Sequence, residues 1–189
     1  MEILYDLTLP RYKKIFDSLN PEFSQTCQEL LTNLSKEYTY FIPYFGLRDL
    51  KTQAKLWRQS RSIIEINNMI SLLKNKKADY LAQTIESVGP QIGKWATNAI
   101  PGLSNHNYGF ALDVVYSDNG QYIWDGDHHG YKILQQHIEN YYKNRLKSGF
   151  NFSHKDAGHI EIAVLPANFP NLHISNIKSI NDYLESLKV

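Results

Sequence analysis

The sequence predicts an α+β fold in which a small antiparallel sheet is packed with helices. Helical spacing of apolar residues dominates the first half of the chain, and apolar–polar alternation marks short strands in the second. The turn-forming run Ser117-Asp118-Asn119-Gly120 joins two of those strands as a hairpin would, which requires antiparallel pairing.

Each element has a local cause. Pro10 opens a short helix, and Asn20 caps a second one that has Pro21 at its first position and runs to about Ser35. Phe23, Cys27, Leu30, Leu31 and Leu34 recur along it at helical spacing, so Cys27 reads as a small core residue rather than a nucleophile. The β-prone run 38–42 ends at Pro43 and Gly46 and reads as a strand. Asp49 caps a helix with Leu50, Ala54 and Trp57 on one side, and the helical pattern over 62–87 forms two helices broken near Asn75, stopped by Gly89-Pro90. Residues 98–109, rich in Asn, Gly, Pro and Ser, form a loop that feeds a half-buried strand at 110–116, with 122–124 as its partner. A helix spans 130–147 and stops at Gly149, strand alternation returns at 158–164, and the tail after Pro170 finishes as a helix at 177–187. The expected organisation is one domain over 1–189, in which a helical N-terminal region (residues 1–90) precedes a sheet region (residues 91–165) and a C-terminal helix within 170–189.

Composition narrows the function. With 189 residues, 42% of them hydrophobic and 21% charged, the chain can bury a core without disulfide or metal staples. A formal net charge of +1 supplies no long-range field for nucleic acid, and the basic stretch from Lys74 to Lys77 reads as a solvated helix face. The single cysteine excludes an internal disulfide and thiolate zinc sites, so any metal must be held by His and carboxylate. No apolar run reaches membrane length, and the first fourteen residues lack a signal-peptide pattern. The expectation is a monomer with no membrane span, made in the cytoplasm, that reaches an external substrate only after release or lysis.

The chemistry concentrates in two segments. In Ser104-Asn105-His106-Asn107-Tyr108-Gly109-Phe110-Ala111-Leu112-Asp113 a histidine leaves the loop and an aspartate arrives on the strand, on the face of Ala111 and Val115. Burying that carboxylate is costly unless a cation or hydrogen-bond donors meet it. In Asp156-Ala157-Gly158-His159-Ile160-Glu161-Ile162, His159 and Glu161 share one strand face and the isoleucines share the other. Two imidazoles and one carboxylate suit catalytic zinc, because three protein ligands leave a fourth position to water. Asp156, in a turn three residues before His159, is placed to be the general base, and Glu161 to orient an imidazole. Taken singly, His106 or His159 reads more readily as a hydrogen-bonded structural residue than as a ligand.

Jointly, Ser-x-His-x-x-Gly-x-Ala-x-Asp followed by Asp-x-x-His-x-Glu resembles the VanY-like D-alanyl-D-alanine carboxypeptidases and L-alanyl-D-glutamate endopeptidases, zinc peptidases of the Hedgehog/DD-peptidase fold. The resemblance covers roughly 41–164, because Gly46-Leu47-Arg48 with Gln53 is similar to that group's Gly-x-Arg strand end and following helix. It implies a peptidoglycan stem peptide as substrate, zinc on His106, Asp113 and His159, Asp156 as base, and Arg48 steadying the scissile carbonyl. Gln53 is implied as a substrate contact; Ser104 either contacts substrate or caps its loop. Many members have Trp before the second histidine or a Trp-Gly-Gly stretch upstream, where this chain has Gly158 and Phe150-Asn151-Phe152. An endolysin-like L-alanyl-D-glutamate endopeptidase is the leading expectation and a D-alanyl-D-alanine carboxypeptidase the alternative.

Two rival readings differ in class. Asp125-Gly126-Asp127-His128-His129 looks superficially like the Asp-His-His motif of manganese phosphoesterases, but the first hundred residues lack the required acidic cluster after an apolar strand, and a solvated turn accounts for it better. A zinc-stabilised wall-binding module would keep the ligands with the base idle, which the presence of both Asp156 and Arg48 argues against. Three Trp and thirteen Tyr could stack on sugars or simply fill a core, and the core reading is the default.

Overall fold

The elements begin where the chain supplies its own caps. A computed structural model describes residues 6–37 and 39–187. Helix α1 (Pro10–Asp17) starts at its proline, and the Asn20 side chain accepts hydrogen bonds from the Glu22 and Phe23 N–H groups to open α2 (Pro21–Lys36). Asp49 caps α3 (Leu50–Arg58) through the Thr52 N–H. Ser62 and Glu65 form a reciprocal capping box for α4 (Ile63–Asn75), at the start of the expected helical pattern. Beyond them come α5 (Asp79–Ser87), α6 (His129–His137) and α7 (Ile177–Ser186). Among the described residues no helix is long and apolar enough to cross a membrane.

The chain divides into two compact units, residues 1–47 with 108–165, and residues 48–107 with 166–189. The first holds the sheet: β1 (Tyr40–Phe45), β2 (Ala111–Asp118), β3 (Gln121–Ile123), β4 (Leu146–Ser148) and β5 (His159–Ile162), in the order β1-β2-β5-β4 with β3 also on β2. All pairs are antiparallel. A bulge between Pro43 and Phe45 leaves Tyr44 as the extra residue of β1, while Phe45 still pairs with Asp113. Asn119 and Gly120 both take positive φ, 48° and 81°, as a two-residue hairpin loop requires. Phe41, Leu112, Ile160, Leu30, Leu31 and Cys27 fill the core of this unit, and burial pushes the Cys27 thiol up, which rules out a reactive thiolate. The second unit packs α3, α4, α5 and α7, with Leu73, Leu81, Ile85 and Ile180 fully buried and the Asn181 side chain accepting the Leu81 N–H at 3.1 Å.

Three expectations need correction. The first strand continues through Pro43 to Phe45 rather than ending there; Tyr38 lies outside the described residues. Strand β3 starts one residue earlier than expected and excludes Trp124. The helix expected over 130–147 is α6 followed by a π-helical turn at Ile138–Tyr142, after which β4 forms. Helical spacing cannot distinguish a widened final turn from a regular one, and Leu146-Lys147-Ser148 is too short to announce a strand. The widened turn points Tyr142 at α2, where its hydroxyl accepts from Asn33 Nδ2 at 2.8 Å and Arg145 pairs with Glu29 at 3.1 Å.

Gly109 joins the loop to β2 with φ of 72°, and a Cβ there would lie 2.9 Å from the Asn20 nitrogen and 3.1 Å from Leu19 Cα. Its carbonyl meanwhile accepts the Asn20 N–H at 3.0 Å. Gly109→Ala therefore combines left-handed strain with overpacking, and urea denaturation is expected to show about 2–4 kcal/mol lower stability.

Candidate metal centre

His106 and Asp113 lie on one continuous segment and His159 returns to it through the sheet. His106 is buried in a single 3-10 turn, Asn105–Tyr108, whose backbone is laced to Arg48: the Arg48 N–H donates to the His106 carbonyl at 2.9 Å, and Asn107 Nδ2 donates to the Arg48 carbonyl at 2.9 Å. Asn107 Oδ1 accepts the Gly102 N–H at 2.9 Å, so both ends of one amide brace the turn. Seven residues on, Asp113 sits directly opposite His159 in the β2–β5 ladder, and Ala111 opposite Glu161. Directly paired residues project to the same side of a sheet, so this register gathers Asp113, His159 and Glu161 on one face.

The buried His159 ring bonds at both nitrogens, Nδ1 to Asp113 Oδ1 at 3.0 Å and Nε2 to Glu161 Oε2 at 3.4 Å. Burial disfavours the imidazolium, but hydrogen bonds to Asp113 and Glu161 and the nearby charge of Asp156 outweigh it and raise its pKa from 6.5 to about 10. The pocket face is thus built for a cation, and in the metal-free chain a proton on His159 takes that role. His106, Asp113 and His159 each offer one ligand atom, and these lie within 4.8 Å of one another. Tetrahedral bonds of about 2.0–2.2 Å call for donors roughly 3.4 Å apart, so modest side-chain adjustment suffices, and two imidazoles with one carboxylate are a fitting set. Among the described residues no other His, Cys, Asp and Glu side chains form such a group.

The base candidate belongs to the turn before β5. Asp156 is exposed, its N–H donates to the Gly149 carbonyl at 2.9 Å, and its own carbonyl accepts the His159 N–H at 3.0 Å. A Cβ on Gly149 would lie 2.5 Å from the Asp156 carbonyl oxygen and 2.9 Å from His159 Cβ, so only glycine lets this turn sit where it does. Gly158 is similarly committed: a Cβ there would stand 2.3 Å from the Val114 carbonyl oxygen. That contact gives a physical reason why no side chain occupies the position before His159. Phe152 lies beside the His159 ring with centroids 5.8 Å apart, a neighbour that the sequence alone did not single out.

The remaining predicted site residues occupy the second unit. Arg48 Nη1 donates to Gln53 Oε1 at 3.0 Å, and Gln53, fully buried, donates from Nε2 to the Ala99 carbonyl at 2.7 Å. Ser104 is partly buried and its carbonyl accepts the Asn107 N–H at 2.9 Å. Asp125 to His128 form the solvated turn that precedes α6, which His129 begins: Asp127 pairs with Lys155 at 2.6 Å, and His128 caps the helix by accepting the Gly130 N–H.

The model of the VanY family, described as D-alanyl-D-alanine carboxypeptidase, matches residues 17–163, a span that includes all three donors, Asp156, Arg48 and Gln53. The chain belongs to the VanY family. Among solved structures, this VanY chain is similar to a Serratia marcescens L-Ala D-Glu endopeptidase, ChiX, at 15% identity over 83% of this chain and 95% of that one, with a TM-score of 0.42. It is also similar to a variant of the vancomycin resistance D,D-pentapeptidase VanY from a VanB-type cassette in complex with Zn(II), at 18% identity, 88% and 83% coverage and a TM-score of 0.41. VanYB in complex with D-Alanine-D-Alanine gives 18% identity, 90% and 84% coverage and 0.41. No curated protein matches the chain.

The raised pKa of His159 carries a definite sign. Its charged form stabilises the metal-free chain fully below pH 6.5, and that contribution is lost as pH rises through about 10. A metal ion must displace the same proton, so affinity climbs with pH across this window. Calorimetric titration at neutral pH, in buffers of different ionisation enthalpy, should show about one proton released per ion bound. Heats independent of the buffer would contradict the assignment.

Proposed function

We propose that this VanY chain is a zinc-dependent peptidase that hydrolyses peptidoglycan stem peptides at the internal L-alanyl-D-glutamate bond. The supporting observation is a pair of facts about one place: three donors converge, and a further acid, Asp156, stands near enough to act on His159 without being one of them. Zinc held by His106, Asp113 and His159 would supply a Lewis acid that makes water nucleophilic near neutral pH and polarises the scissile carbonyl.

This chain's own residues carry the proton and the charge. The exposed Asp156 carboxylate takes the proton of the attacking water and delivers it to the leaving amine. Gly149 allows the turn to hold that carboxylate against the start of β5. Glu161 fixes the His159 ring from its far nitrogen. Arg48 presents its guanidinium to the carbonyl oxygen as negative charge develops there. Gln53 acts on substrate through Arg48: its amide is buried with both ends committed, so it sets the guanidinium rather than touching peptide itself. Ser104, in the turn that leads to His106, meets the substrate backbone.

The choice of bond is supported by what the sheet unit exposes beside the strand that carries Asp113. Two large rings, Tyr44 and Trp124, are exposed there, and Tyr44 is one residue from Phe45, the pairing partner of Asp113. The L-alanyl-D-glutamate bond lies one residue from the sugar, whereas the D-alanyl-D-alanine bond is three residues further out, roughly 10 Å of chain. A broad aromatic border suits the bond that keeps the glycan close.

Purified chain should carry about one zinc and lose turnover on chelation. Asp156→Ala should retain the metal and lose about a hundredfold or more in kcat, whereas His106→Ala loses both metal and turnover. Full activity of the Asp156 variant would move the base elsewhere. Mass spectrometry of digested muropeptides decides the bond: release of free D-alanine, with the L-alanyl-D-glutamate link intact, would replace the endopeptidase by a carboxypeptidase.

A further inference from the structure

Large aromatic side chains are normally spent on the core, and this chain does so with Trp57 and Phe41. Tyr44 and Trp124 are different: they are 59% and 61% exposed, yet their rings hold each other edge to face with centroids 5.0 Å apart. A pair in this geometry is preorganised, and its exposed area is contiguous rather than scattered. Tyr122, two residues before Trp124, is also exposed.

Both rings are tied to the sheet side of the metal centre, by separate routes. Tyr44 is the bulged residue of β1, and its neighbour Phe45 pairs with the metal-donor Asp113. Trp124 begins the segment that leads to Gly126, where a Cβ would come within 3.1 Å of Ala157 Cβ, the residue after Asp156. The Asp127–Lys155 ion pair at 2.6 Å fastens that same segment to the residue before Asp156. A bulge on one side and a pinned turn on the other thus tie the backbone beneath the two rings to the segments that carry Asp113 and Asp156.

We infer that Tyr44 and Trp124 form a glycan-binding platform that holds the sugar strand from which the stem peptide hangs. The inference rests on the peptidase reading for its substrate and goes beyond it in assigning a separate subsite. Stem peptides carry methyl groups and polar chains, and none offers a flat apolar surface. The sugar rings do, through their C–H faces, and an amphipathic aromatic ring covers such a face while leaving the hydroxyls in water.

The test uses the full chain and a peptide-free oligomer of β-linked N-acetylglucosamine, read by calorimetry. Binding is expected for the unaltered chain, about tenfold weaker binding for Trp124→Ala and for Tyr44→Ala, and retained binding for Trp124→Phe, which keeps a ring. In turnover, the ratio of kcat/KM on intact sacculi to that on stem peptide free of glycan should fall about tenfold in Trp124→Ala. Failure of the unaltered chain to bind the oligomer overturns the platform, as does a parallel loss of turnover on both substrates. Glycan binding needs no catalysis, so oligomer binding without cleavage of either substrate would uphold the platform while refuting the peptidase reading.

Discussion

Asp113 opposes His159 on two antiparallel strands, and the consequences run through the sheet unit. A carboxylate taken from water is costly unless a positive partner meets it, and here the partner is held by backbone pairing rather than by a mobile side chain. With Glu161 on the ring's other nitrogen, the imidazole has one orientation and two anionic neighbours. The face is poised to hold positive charge whether a proton or a metal ion supplies it. Removing either acid leaves the other competing for a ring that has lost its alignment.

Around that ladder the backbone does work that side chains would obstruct. Gly149 lets the Asp156 turn press onto the start of β5, Gly158 lets β5 close onto Val114, and Gly109 lets the loop that carries His106 enter β2 against the α1–α2 connection. In each case the nearest obstacle to a side chain includes main-chain atoms, which cannot swing aside. Asp113, His159 and the candidate base Asp156 are thereby held by the framework of the sheet unit, and catalytic geometry generally depends on such support.

Much of this was legible from local signals. Asn20-Pro21, Asp49 and the Asn119-Gly120 turn each name their own structure, because a cap or a two-residue hairpin is decided within a few residues. His106, Asp113 and His159, which could hold a metal ion, were named from their residue types together with the resemblance of their two segments to the family. What could not be read was non-local. The register that sets Asp113 against His159 links residues 46 apart, and nothing in either strand's alternation specifies it. Gly149 looked like a helix stop and Gly158 like a departure from pattern, since close backbone approach leaves no mark on composition. Arg48 was marked by motif, but the buried amide of Gln53 that seats it shows only in three dimensions.

The widened helical turn at Ile138–Tyr142 bears on how tolerant this region is to change. It carries one more residue per turn than a regular helix, and the excess is what brings Tyr142 round to Asn33 and Arg145 to Glu29. Winding these same residues as an ordinary helix, with their number unchanged, would rotate everything beyond the turn by about one residue's step, about 100°. Strand β4 would then arrive at β5 out of phase. The widened turn therefore lets the segment after α6 carry one residue more than regular winding admits and still deliver β4 to β5 in register.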